Sequence, residues 1–244
     1  MAKQRIGKMP VYSISVIIPA YNSEKLIVHA IKSIEAQTLP VDEIICVDDA
    51  STDRTAKIVK ESFPNVKLIR LESNSGPSFA RNIGIKAASG NVIAFLDADD
   101  VWPEDKIEYF SQKLRHHQEV GIIGGMVLRF EGNQKPDLNL ESYFNFYMSS
   151  FLIKKSVFQK IGYFDEAMRL SEDQDWFFRV REAGMEIVVY KKISLFVRIH
   201  SNNTTKDLNT MQIGLTEALR KSMKRRRGVG ANQDLSEISI IDEE

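Results

Sequence analysis

Short apolar runs alternate with segments of helical period through the first half of the chain. The runs predict buried strands at 14–18, 43–47, 66–71 and 91–96. The segments between and after them predict helices at 24–37, from about 53, at 77–88 and at 104–116. This alternation predicts an α/β fold, in which helices flank a mixed, mainly parallel sheet of Rossmann type.

The second half continues this pattern with one interruption. A strand is predicted at 120–127, followed by a polar loop or lid from 129 to 145. Strands are then predicted at 149–153, 186–190 and 194–199, and helices at 154–160 and 172–183. A basic C-terminal helix is expected at 206–227, and the polar, acidic-ended segment 228–244 is expected to be disordered.

Composition narrows the class of protein. With 244 residues and 43% hydrophobic content, the chain can fill the core of one large domain. Lys+Arg and Asp+Glu are equal at 33 each, so no overall field favours nucleic acid as a partner. The single cysteine, Cys46, lies in an apolar run and is expected to be a buried hydrophobe. Because no signal peptide or apolar run of membrane-spanning length is visible, we expect a cytoplasmic protein.

An acidic cluster follows the run at 91–96. Asp97, Asp99 and Asp100 place three carboxylates within four residues, where a buried strand should end. Carboxylates this close repel one another and are stabilised by full solvation or by a shared hard cation such as Mg²⁺ or Mn²⁺. The cluster therefore predicts a metal and phosphate site at the ligand edge of the sheet. The alternative is a solvated acidic turn before the next helix.

The loop after the first strand contains no glycine. It reads Pro19-Ala20-Tyr21-Asn22, and the chain has neither G-x-G-x-x-G nor a P-loop, which argues against a dehydrogenase and an ATPase. Phosphate charge would then be neutralised by a metal and a basic side chain. Asp48 and Asp49 follow the second strand, and Arg81 lies one turn into the helix after the third. Helix capping and a surface cation are the alternatives.

Four motifs carry a resemblance to a known family. In order and spacing they resemble the inverting glycosyltransferases of family 2, which have the GT-A fold; they are Ser15–Asn22, Val47–Asp53, Ala80–Gly84 and Phe95–Asp100. The resemblance runs from about 13 to about 205. It implies a single GT-A domain at 13–205, with a nucleotide-binding half at 13–100 and an acceptor-binding half at 101–205, after an extension at 1–12.

The resemblance also implies roles for individual residues on the donor side. It assigns to the nucleotide Pro19, Ala20, Tyr21, Asn22, Asp49, Arg81, Asp97 and Ala98. Within this set Asp49 would contact the base and Arg81 would lie near the diphosphate. Asp99, with Asp97 and His200, would hold Mn²⁺ or Mg²⁺. A structural role remains the alternative for His200, which follows a strand.

The acceptor side rests on a second acidic pair. Glu172 and Asp173 begin a predicted helix and resemble the family's Glu-Asp motif, in which the second acid is the usual base. Asp173, aided by Glu172, would therefore take the proton of the acceptor hydroxyl. The alternative is that both acids only favour the start of the helix. Trp176 would pack in the core or under the acceptor sugar.

The expected donor is a UDP-sugar, by family frequency, and the expected acceptor is a saccharide or lipid-linked saccharide. The basic, partly apolar helix at 208–227 would dock peripherally on the inner face of a membrane, or would be a solvated helix end. Two other functions are the alternatives, and one feature of the sequence argues against each. A noncatalytic sugar-nucleotide-binding module would lose the acids that are present here, and a metal-dependent phosphohydrolase would carry its Asp-x-Asp on the first strand.

Overall fold

The computed structural model describes residues 12–132, 136–200, 208–228 and 235–242. It contains one eight-stranded sheet with the order β3-β2-β1-β4-β6-β5-β7-β8. The strands are β1 (Ile14–Ala20), β2 (Glu43–Asp48), β3 (Lys67–Arg70), β4 (Val92–Phe95), β5 (Ile122–Glu131), β6 (Phe151–Lys154), β7 (Ile187–Ile199) and β8 (Ile238–Ile241). Only β6 is antiparallel to its neighbours, β4 and β5, among these pairs. The predicted α/β class with a mixed, mainly parallel sheet is confirmed.

Helices cover both faces of the sheet. They are α1 (Ile27–Glu35), α2 (Thr55–Ser62), α3 (Pro77–Ala87), α4 (Lys106–His116), α5 (Lys155–Ile161), α6 (Glu172–Glu182) and α7 (Leu208–Gly228). Apolar residues of α1, α2 and α4 form one core layer, and those of α3, α5 and α6 form the other. Trp176 of α6 is completely buried and stacks on Phe158, with ring centroids 4.7 Å apart. It therefore belongs to the core.

The central strands are buried because both faces are covered. Every residue of β4 is buried, which explains the uninterrupted apolar run that predicted this strand. The chain passes outward from β1 to β2 and β3 and then returns to β4 on the other side of β1. Such a reversal opens a crevice at the carboxyl ends of the strands. Cys46 of β2 is buried as expected, and burial raises the pKa of its thiol to about 12.

The two strands predicted at 186–190 and 194–199 form one continuous strand, β7. Pairing with β5 jumps from Gly125 and Tyr190 to Met126 and Ile193, so the residues between them bulge out of the ladder. A side chain at Gly125 would lie 2.2 Å from the Lys192 carbonyl oxygen, so the bulge needs glycine there. The polar break in the sequence marks this bulge and no turn.

Other boundaries also differ from the prediction. β5 extends to Glu131, so the predicted loop begins later than 129, and α4 begins at Lys106 after a turn that was assigned to the helix. The prediction of a disordered tail at 228–244 is wrong for 238–241, because β8 pairs in parallel with β7 at Ile187–Tyr190. Residues 1–11 of the predicted extension, 206–207 of the predicted basic helix, and 229–234 and 243–244 of the tail lie outside the described residues.

The C-terminal helix α7 packs against α6, and some of its basic side chains form ion pairs at this contact. Lys221 pairs with Asp165, and Arg225 pairs with Asp175 and Glu182. Among the side chains of α7 that the structure describes, the exposed apolar ones are Ile213, Leu215, Leu219 and Met223. Within the described ranges, no helix is both long and apolar enough to span a bilayer.

Candidate active site

A cavity of about 540 Å³ opens at the carboxyl ends of β1, β2 and β4. It brings together ten of the predicted site residues: Pro19, Ala20, Tyr21, Asp49, Arg81, Asp97, Ala98, Asp99, Glu172 and Asp173. Asn22 and His200 are not among the residues that line it. Loops from the first half of the chain therefore face the start of α6 across one crevice.

Asn22 joins two loops instead of lining the cavity. Its side-chain Oδ1 accepts a hydrogen bond of 2.8 Å from the backbone N–H of Thr52, and its own N–H donates to Ser51 Oγ. Its φ of 48° lies in the left-handed region, which asparagine tolerates. This link holds the loop after β1 so that Tyr21, with 48% of its surface exposed, stands at the cavity wall.

Asp49 shapes the loop between β3 and α3. Its two carboxylate oxygens accept hydrogen bonds from the backbone N–H groups of Ser75 and Gly76, at 2.7 and 2.8 Å. Gly76 has a φ of 91°, a conformation that favours glycine, and α3 begins directly after it. Asp49 is thus a buried anchor that also lines the cavity. Its contact with a nucleotide base stays a prediction.

Arg81 links the loop after β4 to the first turn of α6 across the cavity. One guanidinium nitrogen donates to Asp97 Oδ1 at 2.8 Å, and another donates to Glu172 Oε1. Burial opposes the charge of this arginine, but the carboxylates of Asp97, Glu172 and Asp173 raise its pKa. The pairing connects the loop after β4 with the first turn of α6. A contact between Arg81 and a diphosphate stays a prediction.

Ser149 fixes the orientation of Asp97. Its hydroxyl accepts from the backbone N–H of Asp97 at 3.1 Å and donates to Asp97 Oδ2 at 3.2 Å. The carbonyl of Ser149 accepts from Lys106 Nζ and from Trp102 Nε1. Lys106 is completely buried, and burial places its pKa well below the usual value. The carboxylate of Asp97 therefore rests on a buried polar network that the sequence pattern did not reveal.

Asp99 and Asp100 are tied to the end of β7. His200 Nε2 lies 2.9 Å from Asp99 Oδ2, and the backbone N–H of Arg198 donates to Asp100 Oδ1 at 2.9 Å. Burial raises the pKa of both carboxyls, and the charge of Asp97 raises them further. His200 thus meets the acidic cluster at Asp99, although it lies outside the cavity lining.

The cluster suits a hard divalent cation completed by a substrate. Within the described ranges, no three carboxylate, imidazole or thiol groups converge into a ready-made metal site. Mg²⁺ and similar ions are commonly held by one or two carboxylates together with substrate phosphates. Asp99 supplies such a carboxylate beside an imidazole, in an acidic cluster whose mutual repulsion a cation would relieve. These residues fit Mn²⁺ or Mg²⁺.

Asp173 stands in the first turn of α6 and lines the same cavity. Burial, and then the neighbouring charge of Glu172, raise its pKa to about 8, against the opposing effect of Arg81. Glu172 is engaged by Arg81, whereas Asp173 forms no ion pair with any described residue. A carboxyl with a pKa near neutrality, facing a cavity, suits general-base chemistry.

Other lining residues were not predicted. They are Ser23, Asn74, Gly76, Pro77, Ala80, Asn145, Tyr147, Arg169, Leu170, Ser171, Gln174 and Val197, whereas Asp100, which also lines the cavity, belongs to the predicted acidic cluster. Asn145 ends the stretch that was interpreted as a loop or lid, Tyr147 follows two residues after it, and Arg169 lies three residues before Glu172. Proximity to the predicted acidic pair could have indicated Arg169. No signal in the sequence pointed to Tyr147.

Known proteins share both the sequence and the fold. The Escherichia coli protein named UDP-Glc:alpha-D-GlcNAc-diphosphoundecaprenol beta-1,3-glucosyltransferase WfgD is 42% identical over 98 residues, 40% of this chain and 39% of that protein. The structure of TarS from S. aureus in complex with UDP-GlcNAc has a TM-score of 0.74 and 24% identity, over 91% of this chain and 68% of that one. A mannosyltransferase from Pyrobaculum calidifontis in complex with GDP-Man and Mn²⁺ has a TM-score of 0.71 and 18% identity, over 92% and 66%.

These likenesses differ in reach. The two structures confirm the predicted GT-A architecture across nearly the whole chain. The matches span between 18% and 55% of the length of these curated relatives. The family model described as glycosyl transferase family 2 matches residues 15–174, which hold the acidic cluster, Arg81 and the Glu172–Asp173 pair. The chain belongs to glycosyl transferase family 2.

Proposed function

We propose that this protein transfers a sugar from a nucleotide-diphosphate donor to a hydroxyl group of a saccharide or lipid-linked saccharide, with inversion at the anomeric carbon. The observation that carries the proposal is one cavity with two chemically distinct walls. The acidic cluster after β4 forms one wall, and the Glu172–Asp173 turn forms the other. Arg81 spans the gap between them.

The donor side is suited to a nucleoside diphosphate. Tyr21 offers an exposed aromatic ring at the cavity wall, and Asp49 holds the facing loop. The proposed donor is a UDP-sugar, supported by the family and by the UDP-GlcNAc bound in the TarS structure. Asp99, Asp97 and His200 would hold Mn²⁺ or Mg²⁺. Such an ion supplies charge stabilisation for the departing diphosphate.

Asp173 is the proposed base. Its ionised carboxylate would accept the proton of the acceptor hydroxyl while that oxygen attacks the anomeric carbon and the bond from this carbon to the diphosphate oxygen breaks. Attack from the face opposite the leaving group inverts the configuration. Glu172 is proposed to assist by holding Arg81, whose charge favours the ionised form of Asp173. The high pKa of Asp173 keeps its carboxylate a strong proton acceptor.

The acceptor proposal extends to a membrane surface. The name of WfgD describes an acceptor carried on diphosphoundecaprenol, which supports a lipid-linked acceptor here. On α7, Leu215, Leu219 and Met223 are exposed beside Arg220 and Lys224. An apolar stripe flanked by cations favours the interface of an anionic leaflet. We therefore propose that the protein acts in the cytoplasm and associates peripherally with the inner face of the cell membrane.

The central experiment is a thermal-shift screen of nucleotide sugars, with UDP-GlcNAc and UDP first, in the presence and absence of Mn²⁺. We expect stabilisation by UDP that Mn²⁺ enhances, and loss of this enhancement in Asp99→Ala at an unchanged melting temperature of the free protein. Glu72→Ala removes an exposed acid outside the cavity and serves as the control. Absence of UDP binding, or UDP binding that ignores the metal and Asp99, would contradict the proposal.

A turnover assay separates transfer from simple binding. Asp173→Asn is expected to retain metal-dependent UDP binding and to lose sugar transfer to a saccharide acceptor. A noncatalytic binding module would show no transfer in the unmodified protein, and a phosphohydrolase would release phosphate from nucleotides without an acceptor. Unchanged turnover in Asp173→Asn would remove this residue from the role of base.

Membrane docking is tested by cosedimentation with vesicles. We expect binding to vesicles that contain phosphatidylglycerol at low salt, weaker binding at high salt, and little binding to phosphatidylcholine alone. Leu219→Glu should reduce this binding, whereas Glu61→Gln on α2 should leave it unchanged. No binding to anionic vesicles at low salt would remove the membrane from the proposal.

A further inference from the structure

One face of α7 is pressed against the segment that carries Asp173. Gly214, Ala218 and Ser222 are buried at intervals of four residues, so they lie on the same side of the helix. This side contacts α6 and the turn that precedes it. The helix that the sequence presented as an appendage is therefore part of the wall behind the acceptor side of the cavity.

Contact is closest at Gly214. A methyl group added there would lie 2.6 Å from Ser171 Oγ, 3.0 Å from Leu170 Cβ and 3.2 Å from Ser171 Cβ. These distances are shorter than van der Waals contact, so only glycine allows the two segments to approach this closely. Both Leu170 and Ser171 line the cavity. The backbone of α7 thus rests directly on the turn before Glu172.

The turn itself is held in an unusual conformation. Ser171 has a φ of 58°, in the left-handed region, and its side chain makes no capping hydrogen bond to α6. A non-glycine residue keeps such a conformation only where the surroundings impose it. The adjacent residues Glu172 and Asp173 take their direction from this turn, because the helix starts immediately after it.

Ion pairs fasten the rest of α7 to the same segment. Lys221 Nζ lies 2.7 Å from Asp165 Oδ2. Arg225 reaches Asp175 Oδ1 at 2.8 Å and Glu182 Oε2 at 2.7 Å. Asp175 is almost completely buried and also pairs with Arg179, so this contact is shielded from solvent. Charges and close packing together hold the base-bearing segment from both ends.

We propose that α7 holds the base-bearing turn in its working position, with Gly214 and Arg225 as positioning residues for Asp173. This inference rests on the proposed role of Asp173 as the base. Neither residue lines the cavity, so each would act only through the segment that it contacts. The donor side of the site, formed by loops after β1, β2 and β4, meets this segment through Arg81, so UDP binding should depend on α7 far less than transfer does.

The test is Gly214→Ala, measured by steady-state transfer and by UDP binding. Alanine is the better helix former, so the substitution favours α7 itself. We expect kcat to fall by about tenfold or more, since a displaced catalytic group is costly, while the Kd for UDP changes less than about twofold. Hydrogen exchange at the amides of 170–173 should accelerate. Thr216→Ala, on the exposed side of α7, is the matched control and should keep the original kcat.

Relief of the clash supplies the decisive comparison. Ser171→Gly removes two of the three atoms that an added methyl group would meet, and glycine accepts the left-handed backbone. In the background of Ser171→Gly, the Gly214→Ala change should therefore cost much less of kcat than it does alone. Equal losses in both backgrounds, or no loss in Gly214→Ala, would overturn the inference.

Arg225→Met tests the same idea without adding atoms at the turn. Asp175 keeps its pairing with Arg179 in this variant, while Glu182, whose side chain is 11% exposed, loses its pairing with Arg225. We expect reduced kcat with unchanged UDP binding, and kcat equal to that of the unmodified protein would contradict the role of Arg225. Absence of transfer in the unmodified protein would refute the proposed function, whereas full activity in both α7 variants would refute only this inference.

Discussion

The ionisation of Asp173 makes a quantitative prediction about pH. Its pKa of about 8 means that only about one molecule in eleven carries the ionised base at pH 7, against about ten in eleven at pH 9. If proton removal by Asp173 is required for transfer, kcat/KM for the donor should rise about tenfold between these values. The rise should follow a single ionisation, because a bound divalent cation would keep the carboxylates of the acidic cluster ionised.

Glu172 provides the perturbation. Burial is the larger cause of the raised pKa of Asp173, and the charge of Glu172 is the second. Glu172→Gln removes that charge and retains an oxygen that can accept from Arg81. The rising limb of the pH profile should move to lower pH. A decrease in the pKa of Asp173 from 8 to 7 would raise its ionised fraction at pH 7 about fivefold. Glu166→Gln, at an exposed acid outside the cavity, is the control.

The assay is nucleotide release followed at saturating acceptor, at constant ionic strength and fixed metal concentration. Carbon-13 NMR of labelled aspartate carboxyls, compared with Asp173→Asn, gives the same pKa without turnover. A pH profile that is flat between 7 and 9, or a limb that moves to higher pH in Glu172→Gln, would refute the electrostatic reasoning. If Asp173→Asn is inactive and the pH profile of the unmodified protein is flat, Asp173 remains the base but its pKa is not raised.

Three further predictions concern stability and binding. Burial lowers the pKa of Lys106, so the unfolded chain binds more protons and stability rises with pH up to the ordinary lysine pKa of about 10.4. Lys106→Met should flatten this rise in urea unfolding, and equal slopes would contradict the assignment. Phe158→Ala empties a fully packed core position and should cost about 3–5 kcal/mol in the same assay; a loss below about 1 kcal/mol would show that the core closes around the gap. Asp49→Ala leaves the N–H groups of Ser75 and Gly76 without their acceptor and should weaken UDP binding about tenfold by calorimetry, while Asp49→Asn should be intermediate.

The positions of the site loops followed from the sequence because they depend on local patterns. Parallel strands bring their carboxyl ends to one edge, so Asp49 and Asp97 could be placed near each other from strand order alone. The facing position of Asp173 came from the family resemblance. The engagement of Asp49 with two backbone N–H groups and of Arg81 with Glu172 could not be predicted, since each depends on the distance between segments far apart in the chain.

The misses have the same origin. Lys191 and Lys192 interrupt the apolar pattern and so divided one strand into two predicted strands. A bulge can be recognised only from the pairing with the neighbouring strand, here β5. The segment 238–241 is a short apolar run among acidic residues, and its pairing with β7 has no local signal. Lys106 falls within the helix predicted at 104–116, but nothing in the pattern indicated that its amine is buried against the Ser149 carbonyl. The type of a residue predicts its average solvent exposure. This prediction fails where a partner from a distant part of the chain compensates for burying a charged group.

The short strand β8 has a practical consequence. It hydrogen-bonds along β7 at Ile187–Tyr190, and Lys191 pairs with Asp242 at its end. Without it, a row of unpaired backbone groups on an apolar strand would face solvent and could recruit the same strand from another molecule. A C-terminal truncation that removes β8 would therefore expose an unpaired sheet edge, and we expect the truncated protein to aggregate when it is concentrated.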